Sequence, residues 1–164
     1  ISSGVVPLGA MVAKEDMGEA FFGPVEDEIN FAHGHTFAGN PVACAVGIAV
    51  IDEIVGLGLD KKAAQLGDYL SQRLEELKEL GVVREVRGRG LLKGVELVRD
   101  TRTMAPFPEL GQNLKQTALE NGLVMRIDPT WFAVAPALVA DKADIDELYL
   151  RIRKSLVDAL EKLG

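Results

Sequence analysis

From residue 60 to the end of the chain, helical and extended patterns alternate in an order that leaves few folds open. Ala63, Leu66, Leu70, Leu74 and Leu77 recur at three- and four-residue spacing, which puts them on one face of a helix over roughly 61–80. Asp60 stands at its N-cap position and Gly81 at its C′ position. Val82–Val86 reads as a strand, Arg87-Gly88-Arg89-Gly90 as a turn, and Leu91–Val98 as a second strand with Gly94 inside it. Residues 99–107 read as a loop containing Pro106. A second helix over roughly 109–121 turns Leu110, Leu114 and Ala118 inward, and Asn121-Gly122 stops it. Leu123–Ile127 and Trp131–Ala135 are strands joined by the Asp128-Pro129-Thr130 turn. Asp141 caps the last helix, with Asp144 three residues on supporting its N-terminus. Ile145, Leu148, Ile152, Leu156, Leu160 and Leu163 form that helix's core face. The order α-β-β-α-β-β-α predicts an α/β fold, a two-layer sandwich with helices over one face of a small sheet.

The first third of the chain reads differently. Val5-Val6 and Met11-Val12-Ala13 flank Pro7-Leu8-Gly9-Ala10 and predict an extended hairpin over 1–13. Residues 14–32 read as irregular, with Gly18, Gly23 and Pro24, and their Glu26-Asp27-Glu28 cluster as a solvated loop. Asn40 is an N-cap and Pro41 takes the first helical position, opening a nearly uncharged apolar helix from Val42 to about Val55. Gly56-Leu57-Gly58-Leu59 is a hinge-like break, so the chain is expected to divide into 1–58 and 59–164. Residues 1–40 hold no complete layer of their own, and the chain opens on Ile1 with no initiating Met. Both features predict a segment of a longer protein, packed against a sheet supplied from upstream.

Charge and cysteine content narrow the partners. A net charge of −7 argues against nucleic acid or an anionic membrane surface. One cysteine excludes an internal disulfide and a multi-cysteine zinc site, and fits the reducing cytoplasm. No apolar run reaches the roughly 18 residues a membrane span needs.

The stretch His33–Ala45 is the first candidate site. A turn of small and polar residues feeds a helix N-terminus, where free N–H groups, the positive end of the dipole and the Thr36 hydroxyl can face an anion. Taken by themselves, the same residues are more simply read as a turn and a cap that bind nothing, since most capped helices bind no ligand. Arg87-Gly88-Arg89-Gly90 lacks the strand-to-helix context of a dinucleotide loop. His33 and His35 lack a third ligand for a metal, and Cys44 reads as inert core.

Several motifs in order point further. Ile1-Ser2-Ser3-Gly4-Val5-Val6-Pro7-Leu8-Gly9-Ala10, His35-Thr36-Phe37-Ala38-Gly39-Asn40-Pro41-Val42-Ala43-Cys44-Ala45 and Val86-Arg87-Gly88-Arg89-Gly90-Leu91-Leu92-Lys93-Gly94-Val95-Glu96-Leu97 are followed by Gly122-Leu123-Val124-Met125-Arg126 and Ala135-Pro136-Ala137-Leu138. The set resembles the class III aminotransferases, pyridoxal 5'-phosphate (PLP) enzymes of fold type I that include the omega-amino-acid:pyruvate transaminases. The resemblance covers the C-terminal part of such an enzyme: a remnant of the large cofactor-binding domain with its linking helix, then the small α/β (α+β) domain. It implies transfer of an amino group from an amine or omega-amino acid to a keto acid such as pyruvate, in a homodimer.

The resemblance also distributes roles. The Schiff-base lysine of the family lies just before the segment similar to Ile1-Ser2-Ser3-Gly4, so no lysine of this chain is assigned as catalytic. Thr36 matches the threonine that serves the cofactor phosphate of the neighbouring subunit. Arg126 matches the mobile arginine that takes the substrate carboxylate, a task for which a guanidinium fork is suited. Omega-type members often carry Gly-Asp after this arginine and Pro-Pro-Leu further on, where this chain has Ile127-Asp128-Pro129 and Pro136-Ala137-Leu138. Two other readings stay open. One is an inert folding or dimerisation piece. The other is a different PLP enzyme, of 4-aminobutyrate or glutamate-semialdehyde type within class III, or a decarboxylase or racemase on the same fold.

Overall fold

Gly58, in the left-handed region at φ 59°, follows the boundary between two units, Ile1–Leu57 and Gly58–Gly164, of a computed structural model that describes residues 1–29 and 31–164. In the first unit, α1 (Glu15–Glu19) and a 3₁₀ turn at Val25–Asp27 punctuate the stretch expected to be irregular. The acidic cluster is exposed, as expected of a solvated loop. The hairpin expected over 1–13 does not form. Ser3 and Gly4 take positive φ, the Val5 N–H bonds the Ser2 carbonyl, and the Ser2 hydroxyl bonds the Val6 carbonyl. Val5-Val6 is thereby folded into a local loop that leaves no strand to pair.

The helix expected after Asn40 is α2 (Pro41–Gly56), with Pro41 at its first position and Asn40 Oδ1 accepting from the Ala43 N–H at 3.0 Å. Only Ala43 and Gly47 are buried on it. The N-terminal segment crosses at Gly47, where a Cβ would meet the Leu8 side chain at 2.7 Å. Cys44, expected in the core, is exposed. One residue along from Ala43 it is rotated by about 100° from the single contact line this helix makes within its unit.

The second unit follows the expected order. Its first helix is α3 (Leu59–Glu75), prolonged by a 3₁₀ turn at Glu76–Leu80 that ends at Gly81, φ 72°. Asp60 is not its cap: Gly58 holds the N-cap position because Leu59 is already helical and buried, and Asp60 sits in the first turn. There its charge faces the positive end of the helix dipole. Then come β1 (Val83–Arg89), β2 (Leu92–Asp100), the short β3 (Ala105–Pro106), α4 (Pro108–Glu120), β4 (Arg126–Asp128), β5 (Trp131–Val134) and α5 (Lys142–Glu161). The sheet runs β1-β2-β5-β4, antiparallel throughout, with β3 paired to β2.

Two strand boundaries depart from expectation. Arg87-Gly88-Arg89 belongs to β1, and the turn is confined to Gly90-Leu91. Gly88 makes this possible: it pairs with Lys93 at φ 136°, and a Cβ there would lie 2.1 Å from the Leu92 carbonyl oxygen. The strand expected from Leu123 starts only at Arg126. Leu123 is instead used to close α4. Its N–H bonds the Ala118 carbonyl at 2.8 Å and that of Gly122 bonds Leu119 at 3.0 Å, the Schellman pattern, with Gly122 at φ 68°.

Alternation along β2 puts Lys93, Val95 and Leu97 toward the helices and Leu92, Gly94 and Glu96 on the other face. The helix-side core joins Leu70, Leu74, Leu77, Val83, Val95, Leu97, Leu110, Leu114, Phe132, Ile145, Ile152 and Leu156. This is the expected two-layer sandwich. Leu163 lies beyond the last helical residue of α5 and is 39% exposed, outside the core, while Tyr149 and Ala159 join the core.

Candidate functional site

Thr36 occupies a tight turn, Thr36–Gly39, in the first unit. The Ala38 N–H bonds the His35 carbonyl at 2.9 Å and the Asn40 N–H bonds Phe37 at 3.1 Å, with Gly39 at φ 69°. The Thr36 side chain is exposed, and its hydroxyl makes no hydrogen bond among the described residues. Behind it the N-terminus of α2 is largely satisfied. Pro41 has no N–H, the Ala43 N–H goes to Asn40 Oδ1, and the Cys44 N–H goes to the Asn40 carbonyl at 2.9 Å. The cradle expected to present several free N–H groups therefore narrows to the Val42 N–H, the dipole and the Thr36 hydroxyl. That donor set suits a phosphate, which accepts hydrogen bonds and favours the positive end of a helix.

Arg126 opens β4 in the second unit. Arg126 and Asp128, two apart on a strand, share a face, and the antiparallel register sets Asp128 opposite Trp131. Arg126 Nε donates to Asp128 Oδ2 at 3.0 Å, and the guanidinium carbon stands 5.0 Å from the centre of the Trp131 ring. The arginine remains 71% exposed. It borders a depression of about 450 Å³ whose other walls include Leu92, Met125, Ala133, Pro136 and Leu148. Arg126 and Ala133 stand on the face of the sheet that the helices leave uncovered, and Leu148 of α5 closes the depression from the helix side. Further along that face, Arg84 pairs with Glu96 at 3.2 Å and Arg87 with Glu85 at 3.1 Å. Sequence reasoning singled out Arg126 but missed Asp128 and Trp131 as its partners. The available signal was the i, i+2 spacing of opposite charges on a strand ahead of a two-residue turn.

Thr36 and Arg126 belong to different units. The remaining candidates form no site of their own. The His33 and His35 rings meet edge to face at 5.0 Å. Among the described residues no group of three or more His, Cys, Asp or Glu is placed to hold a metal ion, and no single helix is long and apolar enough to cross a membrane.

The sequence profile for aminotransferase class-III matches residues 1–156. A probable aminotransferase of Mycobacterium tuberculosis is 35% identical, over 99% of this chain and 36% of its own length. The putrescine–pyruvate aminotransferase of Pseudomonas aeruginosa is 33% identical, over 95% of this chain and 34% of its own length. The solved structure of a thermostable (S)-enantioselective omega-transaminase from Thermomicrobium roseum superposes with a TM-score of 0.86 at 36% identity, covering 97% of this chain and 36% of that one. This chain belongs to the class III aminotransferase family, whose members are PLP-dependent transferases of fold type I. It spans about a third of the length of the curated relatives it matches.

Proposed function

We propose that this chain is the C-terminal third of a PLP-dependent aminotransferase that moves an amino group from an amine or omega-amino acid to a keto acid such as pyruvate. Residues 1–58 would belong to the large cofactor-binding domain, and 59–164 would form the small domain. The observation that carries the reading is the surroundings of Arg126: an exposed guanidinium at the rim of a largely apolar depression. A positive fork beside apolar walls suits a donor or acceptor with a carboxylate at one end and methylenes behind it. The putrescine–pyruvate aminotransferase among the relatives is named for an amine and a keto acid, which supports transfer from an amine to pyruvate.

When bound, PLP supplies the electron sink that lets an amine's carbon lose a proton. The residues of this chain have supporting roles. Thr36 donates its hydroxyl to the cofactor phosphate, with the α2 N-terminus behind it, and does so for the neighbouring subunit of a homodimer. Arg126 binds and orients the substrate carboxylate. The lysine that carries the cofactor is contributed by the part of the enzyme preceding Ile1, so the 164 residues alone hold no cofactor covalently and turn nothing over. The lone cysteine fits a cytoplasmic enzyme.

The test uses the complete enzyme and the segment side by side. Amine and omega-amino-acid donors are offered with pyruvate, and alanine formation is followed. Transfer by the complete enzyme supports the reading, and its absence with every donor overturns it. Thr36→Ala is expected to weaken cofactor retention on dialysis about tenfold, and Thr36→Ser to restore it, since one charge-assisted hydrogen bond is lost and regained. For the segment alone, borohydride reduction followed by mass spectrometry should find no cofactor attached to lysine. A labelled lysine would overturn that part.

A further inference from the structure

The stretch leading into the Thr36 turn carries a row of rings. Phe31, His33 and His35 alternate in sequence, and the His33 N–H bonds the Phe31 carbonyl at 2.8 Å, which tightens the chain between the first two. The Phe31 and His33 ring centres are 5.5 Å apart, and those of His33 and His35 are 5.0 Å apart. At the far end Phe21 meets Phe31 edge to face at 4.9 Å. All three separations lie where aromatic rings attract beyond the area they bury. Phe21 and Phe31 in turn wall an apolar depression of about 440 Å³ together with Met11, Met17 and Phe22. The row therefore runs from an apolar base to the residue before Thr36. Neither imidazole makes a hydrogen bond or ion pair among the described residues, so ring contact is what holds them. His35 also closes the turn: its carbonyl accepts the Ala38 N–H at 2.9 Å, and Thr36 is the next residue along.

We propose that this ring row positions the Thr36 turn, with Phe31 and His33 as positioning residues that set how firmly the cofactor phosphate is held and that act only through Thr36. The proposal rests on the reading of Thr36 as a phosphate donor. A hydroxyl on an exposed turn has to be ordered when it meets its anion, and that ordering subtracts from binding. On one side the turn is anchored by the Asn40 cap of α2, and on the other its anchor is the His35 ring. Contacts reaching back to an apolar base hold that second anchor, so the hydroxyl is in place before the anion arrives. Loss of a ring in the middle of the row frees His35 and with it the turn. The effect is confined to ligands that carry the phosphate. The same cofactor ring without its phosphate gains nothing from the row.

The experiment compares PLP with pyridoxal, which lacks the phosphate, by equilibrium dialysis of each against the complete enzyme stripped of cofactor. His33→Leu is expected to weaken PLP binding about fivefold and to leave pyridoxal within about twofold. His33→Phe puts a ring back in the row and should recover most of the loss, which neither bulk alone nor a need for imidazole would produce. Phe31→Leu should move the two ligands in the same sense as His33→Leu. In a Thr36→Ala background, His33→Leu should cost PLP nothing further, because the row acts through the threonine. Equal weakening of PLP and pyridoxal, no change, failure of His33→Phe to recover, or full additivity with Thr36→Ala would overturn the role of the row. Thr36→Ala alone separates the two levels. If it leaves the preference for PLP over pyridoxal untouched, the reading of Thr36 fails and takes the row with it. If it lowers that preference while His33→Leu and Phe31→Leu do not, the row alone fails.

Discussion

Gly67 on α3 faces Gly90 at the β1–β2 turn so closely that a Cβ on Gly67 would lie 2.3 Å from the Gly90 carbonyl oxygen. The obstacle is backbone, which cannot step aside as a side chain would. Helix propensity alone would make Gly67→Ala stabilising by about 1 kcal/mol. The contact reverses the sign, and Gly67→Ala is expected to destabilise by about 1–3 kcal/mol. Gly56→Ala at the end of α2 is the matched control, because nothing lies within 4 Å of its Cβ position. Urea unfolding of the complete protein should lower the midpoint for the first variant and not for the second.

That contact also marks the limit of what the amino-acid sequence makes legible. Periodicity located the helices and their inner faces, and Asp141 with Asp144 announced a start that the structure completes as a reciprocal capping box. Gly88 misled because glycine between arginines reads as a turn, whereas here it is the one residue that lets β1 continue past the Leu92 carbonyl. Leu123 misled because an apolar residue after Asn-Gly reads as the start of a strand, whereas it closes the α4 cap. In both cases the deciding partner is remote or lies on the backbone, which side-chain patterns do not report. The site divides in the same way. Arg126 was legible within its motif, while Trp131 becomes its neighbour only through strand register.

Thr117 ties α4 to α5 inside the core. It is fully buried, and its hydroxyl donates to the Ser155 carbonyl at 2.8 Å. Thr117→Val preserves the shape and removes the donor, so stability should fall by about 1 kcal/mol. Thr117→Ser retains the donor and loses a methyl group. Thermal unfolding of the pair separates the hydrogen bond from the packing.

Two carboxylates on the α4–α5 side should shape stability in acid. Asp158 is held below the ordinary range by hydrogen bonds from Asn121 and Lys154, and Glu120 by those from Lys162 and Gln116. A depressed folded pKa means that the unfolded chain binds the proton first. The contribution is therefore present above the ordinary carboxylate range near 4 and is lost as pH falls through the folded values. Asp158→Asn should flatten the fall in unfolding midpoint below about pH 4 relative to the parent.

At the alkaline end the relevant group is Tyr69. Its hydroxyl donates to Asp146 Oδ1 at 2.7 Å, and Arg73 Nε lies 2.9 Å from the same oxygen. Arg73 is bound in turn by Glu76 and covers the Tyr149 ring at 4.1 Å, so one network links α3 to α5. The hydrogen bond to Asp146 holds the Tyr69 phenol above its ordinary value, and burial does the same for Tyr149. Here the sign is opposite to the acid case. With the folded pKa raised, the native state keeps a proton that the unfolded chain releases near pH 10, so the contribution is whole below about pH 10 and is lost as pH rises through the folded value. Tyr69→Phe removes both the bond to Asp146 and one titrating group. It should be less stable than the parent at pH 8, and the gap should narrow as pH rises above about 10. Urea midpoints across that range measure it; a gap that stays constant would mean that Tyr69 titrates alike in both states.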